Sequence, residues 1–247
     1  MRKYDPEKIV KMEEAGVICS EILRNVLSKV SVGVSLIELD QYAEQLCIDN
    51  KVIPAFKGYE GFPATLCTGV NDVVVHGIPD DYVLEDGDVL SVDFGIKYKD
   101  VYSDTSYTVI IGEVSDEIKK FVNVVKDATL AGIANAKPGN HVGDIGHAMQ
   151  EIVEKNGYSV VKEMVGHGIG YDLHEEPYVP GYGRKGKGQE LYRGQTLAIE
   201  AIVNQGLPDI FISIDDGWTS YTEDGMLSAL FEHTIVVDQK PKILTSW

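Results

Sequence analysis

GDVLSVDFGIKYKDVYSDTSYTVIIG, residues 87–112, decides the fold. Two runs rich in Val, Ile, Tyr and Thr flank a polar stretch at residues 97–100, the pattern of a β-hairpin. In the first run, alternation places Val89, Ser91 and Asp93 on one face of the strand and Leu90, Val92 and Phe94 on the other. Asp104 falls in the second run, so the hairpin can bring two carboxylates together. Buried carboxylates repel one another and lose solvation, and they need a cation or protons. Taken singly, either Asp also fits a turn or strand-end residue bonded to backbone amides.

A matching pattern recurs farther along. GQTLAIE (residues 194–200) parallels GDVLSVD (residues 87–93) and sets Glu200 where Asp93 stands. Glu232 lies in ALFEHTIVV (residues 229–237), as Asp104 lies in the second run of the hairpin. Each Glu interrupts a strongly apolar run, where an unpaired carboxylate is costly; a Glu on the exposed face of an alternating strand is the alternative. VHGI (residues 75–78) and GHGI (residues 166–169) correspond in the same way. Helices are expected at about 6–30, 36–50, 116–136 and 142–156, with Pro138 and Gly139 breaking between the last two. The chain therefore reads as an α+β fold, a single domain over residues 1–247, internally duplicated at about 7–112 and 116–238. Two facing halves would direct His, acid and acid from each side to a shared central cleft.

Four acids in strands with one or two histidines form a donor set typical of a dimetal site for hard or borderline ions. His167 and His174 belong to GHGIGYDLHEEP (residues 166–177), whose glycines permit close approach by a ligand. His76 follows a β-branched run and precedes Gly-Ile-Pro, at an expected strand end. His141, His147 and His233 lack such surroundings and read as structural or surface residues. No GxSxG elbow or P-loop is present, and Cys67 reads as a small apolar pocket residue rather than a nucleophile.

The remaining composition excludes other classes. The three cysteines of the 247 residues form no CxxC pair, which argues against a disulfide framework or structural zinc. No signal-peptide run or membrane-length apolar segment is found, so the expected location is cytoplasmic. The net charge of −17 disfavours DNA, RNA and anionic membranes as partners.

Taken together, residues 58–79, GDVLSVDFG with SDTSYTVIIG, GHGIGYDLHEEP, QTLAIEAIVNQG and FEHTIVV resemble the type I methionine aminopeptidases of the pita-bread metallopeptidase fold, over nearly the whole chain. The resemblance implies two pseudo-symmetric αβ halves with a central, mostly antiparallel sheet around a dimetal cleft. It implies two divalent ions (cobalt, manganese, iron or similar) held by Asp93, Asp104, His167, Glu200 and Glu232, with Asp104 and Glu232 bridging. By the same resemblance Glu200 would move the proton of water, and His76 and His174 would contact the substrate. A pocket near Tyr59, Phe62, Cys67 and Trp218 would take the methionine side chain. The implied substrate is the N-terminal peptide of nascent polypeptides, with a small second residue. A monomer is expected, and for a transient ribosome contact a chain this acidic offers no obvious basic patch. Phe56, Leu173 and Ala201 depart from the common pattern, where Cys, Phe and Pro are usual, and all three are expected near the cleft. The rival readings are an Xaa-Pro peptidase of the same fold and a non-enzymatic binding protein built on it.

Overall fold

The computed structural model describes residues 5–246; residues 1–4, part of the stretch read for a leader, and Trp247 lie outside the described residues. Asp5 starts the first helix, α1 (Pro6–Leu27): its carboxylate accepts from the Lys8 amide, and Pro6 fills a position that needs no donor. The helix ends three residues before the expected point, and Gly33, at φ 91°, turns the chain into α2 (Leu36–Asn50). Ser35 and Glu38 close the N-terminus of α2 as a capping box.

Short strands β1 (Ile53–Pro54), β2 (Cys67–Val70) and β3 (Val73–Val75) lead into the long hairpin β4 (Val89–Tyr98) and β5 (Val101–Ile110). The polar stretch expected to turn contracts to Lys99 and Asp100, both at positive φ, as a two-residue hairpin requires. Helices α3 (Asp116–Ala134) and α4 (Val142–Lys155) follow, each within two residues of its expected end. Then come β6 (Ser159–Val160), β7 (Gly166–Gly168), β8 (Glu175–Val179), β9 (Thr196–Asn204), β10 (Ile210–Ile212), β11 (Ser220–Thr222), β12 (Ser228–Val236) and β13 (Lys242–Ile243).

Among the described residues, ten strands form one antiparallel sheet along the path β1-β4-β5-β12-β9-β7-β8, with β2 on β4, β6 on β9 and β13 on β12. Strands β3, β11 and β10 make a separate small sheet. This is the α+β pita-bread architecture expected from the sequence, with β4 and β5 on one side of a central seam and β9 and β12 on the other. One face of the large sheet is apolar: Leu90, Val92, Phe94 and Ile96 pack with α1 and α2, while Leu197, Ile199, Val203 and Phe231 pack with α3 and α4. Both helix pairs thus cover the same face, because Phe94, Thr105, His233 and Ile199 stand opposite one another across four strands. The other face is left for the site. Among the described residues no helix is long and apolar enough to cross a membrane.

The seam between β5 and β12 has few backbone rungs, and hydroxyls replace them. Thr234 donates to the Asp104 carbonyl and accepts from its amide, and Thr105 donates to the Glu232 carbonyl. Thr108 donates to the Leu230 carbonyl at 2.7 Å, accepts from the Leu230 amide at 3.0 Å, and lies 2.8 Å from the Ser91 hydroxyl. Thr108→Val keeps the shape and orphans all of these buried groups, so urea denaturation should show a loss of about 1–3 kcal/mol.

Candidate metal centre and substrate cavity

Strand register assembles the site. Cys67 stands opposite Asp93, Asp93 opposite Ser106, Ser106 opposite Glu232, and Glu232 opposite Glu200. Ala198 shares the face of Glu200 and stands opposite His167, while Asp104 shares the face of Ser106. Directly opposed residues project from one side of a sheet. Residues that lie as much as 165 positions apart therefore converge, and Asp104, His167 and Glu232 offer ligand atoms within 4.8 Å of one another. Asp93 and Glu200 flank that trio in the same cavity.

Glycines give the donors room. A Cβ on Gly95, opposite Asp104, would lie 3.2 Å from Asp104 Oδ1 and 3.0 Å from Phe56 Cε1. A Cβ on Gly166 would stand 2.6 Å from the Ala198 carbonyl oxygen, so only Gly lets β7 lie close enough to β9 to present His167.

The cavity above this floor has a volume of about 430 Å³, in the range of small-ligand sites. The eleven residues named as candidate metal ligands or substrate contacts line it: Tyr59, Phe62, Cys67, His76, Asp93, Asp104, His167, His174, Glu200, Trp218 and Glu232. The aromatic wall is edge-packed, Phe62 against Trp218 at 5.2 Å between ring centroids and His76 against Trp218 at 6.4 Å. His76 follows the end of β3, as expected, and sits at φ 58°, a left-handed conformation uncommon for a residue with a side chain. A bulge between His167 and Gly168 brings the His167 and His174 rings to 4.4 Å, nearly perpendicular. The Tyr59 hydroxyl lies 2.9 Å from His174 Nδ1.

Phe56 and Leu173 also line the cavity, but Ala201 does not. It points to the opposite face of β9 and packs in the core beneath α3 and α4, which corrects the expectation that it borders the cleft. Sequence reading missed Ile202 and Leu230, although each lies two residues from an acid on the same face and alternation alone would have found them. It also missed Glu60, Glu163 and Tyr178, exposed wall residues in irregular segments or at a sheet edge, where no periodicity marks them. His141 caps α4, His147 is an i,i+4 neighbour of Glu151, and His233 is buried with Nδ1 3.0 Å from the Thr245 hydroxyl; none belongs to the cavity.

The electrostatics of the floor call for a cation. Burial pushes the Asp104 carboxyl up to about 7, and burial with the neighbouring Asp104 pushes Glu200 up to about 8. Asp93 and Glu232 are driven well above the usual carboxylate range by burial and by the surrounding carboxylates. Asp93 Oδ1 and Asp104 Oδ1 are buried with no hydrogen-bond partner among the described residues. Burial, and then His174, hold the His167 imidazole down at about 4, so it is neutral at pH 7. Its Nδ1 lies 2.9 Å from the Gly168 carbonyl, which can only accept. The hydrogen is thereby fixed on Nδ1, and the Nε2 lone pair remains for a ligand. Orphaned carboxylate oxygens beside a free imidazole lone pair fit a divalent metal.

Fold and site define a metallopeptidase. The model of Metallopeptidase family M24 matches residues 10–239, and the chain belongs to that family. It is 43% identical to a methionine aminopeptidase of Clostridium perfringens, an alignment covering 95% of this chain and 94% of that one. It is 42% identical to methionine aminopeptidase 1 of Bacillus subtilis over 95% and 94% of the two chains. The crystal structure of a methionine aminopeptidase from Rickettsia prowazekii superposes with a TM-score of 0.97 at 38% identity, covering 100% of both chains. An Xaa-Pro dipeptidase from Bacillus anthracis shares the fold at a TM-score of 0.79 and 24% identity; the match covers 98% of this chain and 61% of that one.

Gly166→Ala tests the placement of His167. The added methyl must push β7 away from β9, so chemical denaturation should show a loss of about 1–3 kcal/mol. Titration of the folded variant with manganese should show weakened binding.

Proposed function

We propose that this protein is a methionine aminopeptidase, a metal-dependent exopeptidase that releases the initiator methionine from nascent proteins and peptides when the second residue is small. The observation that carries this reading is the convergence of four carboxylates and one neutral imidazole on the floor of an aromatic-walled cavity. In this reading Asp93, Asp104, His167, Glu200 and Glu232 would hold two divalent ions. An oxygen-rich set with one imidazole suits manganese, iron or cobalt better than structural zinc. Bound there, the metal supplies Lewis acidity and makes water acidic enough to act as a nucleophile near neutral pH.

The residues of the chain do the rest. Glu200, ionised when the metals are bound, would accept the proton of the attacking water and pass it on. A Tyr59 hydroxyl that donates to His174 Nδ1 leaves the hydrogen of that ring on Nε2, where it can meet the developing oxyanion. His76 reaches the nitrogen of the scissile amide. Tyr59, Phe62, Cys67 and Trp218, with Phe56 and Leu173, enclose the methionine side chain; an unbranched thioether conforms to such a wall and gains sulfur–aromatic contact. The substrate's free α-amino group belongs against the acidic floor, which restricts cleavage to the first residue. The same reading takes residues 1–247 as one catalytic domain with duplicated halves, a cytoplasmic monomer, and gives DNA and membranes no part.

Metal-stripped protein should not hydrolyse Met-Ala-Ser, and manganese, iron or cobalt should restore release of methionine. Glu200→Ala should lower the restored rate by about 100-fold or more. Cleavage of Xaa-Pro peptides in place of Met-Ala-Ser would assign the protein to the neighbouring activity. Because the metal binds the folded state, manganese at 100 times its dissociation constant should add about 2.7 kcal/mol to stability in thermal or urea denaturation.

A further inference from the structure

We infer that Lys8, in the first turn of α1, is a positioning residue for His174, acting through the carboxylate of Glu175; the inference rests on the role proposed for His174. A lysine near the start of a surface helix ordinarily extends into water. The Lys8 side chain instead runs inward and is only 15% exposed. Its ammonium lies 3.0 Å from Thr196 Oγ1, 3.4 Å from the Ile169 carbonyl oxygen and 3.6 Å from Glu175 Oε2, and 5.5 Å from the centre of the Tyr171 ring. Gly170 makes this route possible, since a Cβ there would overlap the end of the Lys8 side chain.

Glu175 uses its two oxygens differently. Oε2 faces Lys8, while Oε1 accepts from the amides of Tyr171 at 2.8 Å and Asp172 at 3.2 Å. The carboxylate therefore ties the segment at residues 169–174, between β7 and β8, to α1. The same helix start is tied again where the Tyr171 hydroxyl donates to Asp5, the residue that caps it. His174 ends this segment, and its ring is otherwise held by the Tyr59 hydroxyl. His167 needs none of this, because β7 is laddered to β9. Without the ammonium, Glu175 is free to rotate toward water and residues 171–174 lose their clamp. The metal donors stay in place while His174 loses its aim.

The test uses full-length, manganese-loaded protein acting on Met-Ala-Ser. In Lys8→Met, kcat should fall about tenfold with KM within about twofold, since a small misplacement of a reacting group costs rate rather than binding. Manganese affinity should be unchanged, and hydrogen exchange at the Tyr171 and Asp172 amides should accelerate. Lys8→Arg should recover most of the rate. Lys8→Met with Glu175→Gln should be no slower than the slower single variant, as expected of two residues acting as one unit. The inference is overturned if Lys8→Met turns over at the wild-type rate, if its loss is matched by lost metal, or if the two substitutions add. Absence of turnover in the wild type would overturn the functional reading together with this one.

Discussion

Four carboxylates crowded on one face of one sheet, Asp104 and Glu232 buried and Asp93 and Glu200 half-buried, are the constraint on which the rest depends. Each loses hydration and each is raised further by its neighbours, so the group persists only where a cation or protons compensate. The fold isolates this cost on one side. Helices α1 to α4 all pack on the opposite face, and the strands between contribute apolar residues to that face and polar ones to the site. Glu200 and Ala201, adjacent in the chain, illustrate the division: the first lines the cavity and the second is core.

The histidines answer the same constraint from the other direction. His76, His167 and His174 are all shifted down, primarily by burial, and stay neutral beside a floor that needs positive charge. Neutral imidazoles offer lone pairs or single hydrogens, and their backbone and tyrosine partners decide which. A protonated histidine here would neutralise a carboxylate but compete with the ion the floor is built to hold. The arrangement reserves that charge for the metal.

Much of this was legible in the chain because period-two alternation and turn chemistry are local. Asp93, Asp104, Glu200 and Glu232 each stand in a run whose apolar neighbours announce a strand, and Lys99-Asp100 fixes the hairpin register that puts Asp104 opposite Gly95. The resemblance to a known family supplied the grouping of acids far apart in sequence into one ligand set, which alternation cannot. What stayed hidden is set by tertiary contact alone. Ala201 was misplaced because nearness to Glu200 in sequence says nothing about which face a neighbour takes until register is applied. Glu60 and Tyr178 belong to a short turn and to the outermost strand, and the inward path of Lys8 depends on Gly170, far away in the chain.

The strand order has a consequence for synthesis. β12 lies between β5 and β9 yet is the last long strand in the chain. While the polypeptide is being made, β5 and β9 each present an open edge where β12 will insert, and the short β3–β11 ladder can already link the two halves. Glu232 arrives with that strand, so the full set of four carboxylates cannot assemble until residues 228–236 have been made. The floor of the cavity therefore lacks one of its four carboxylates until β12 has taken its place in the sheet.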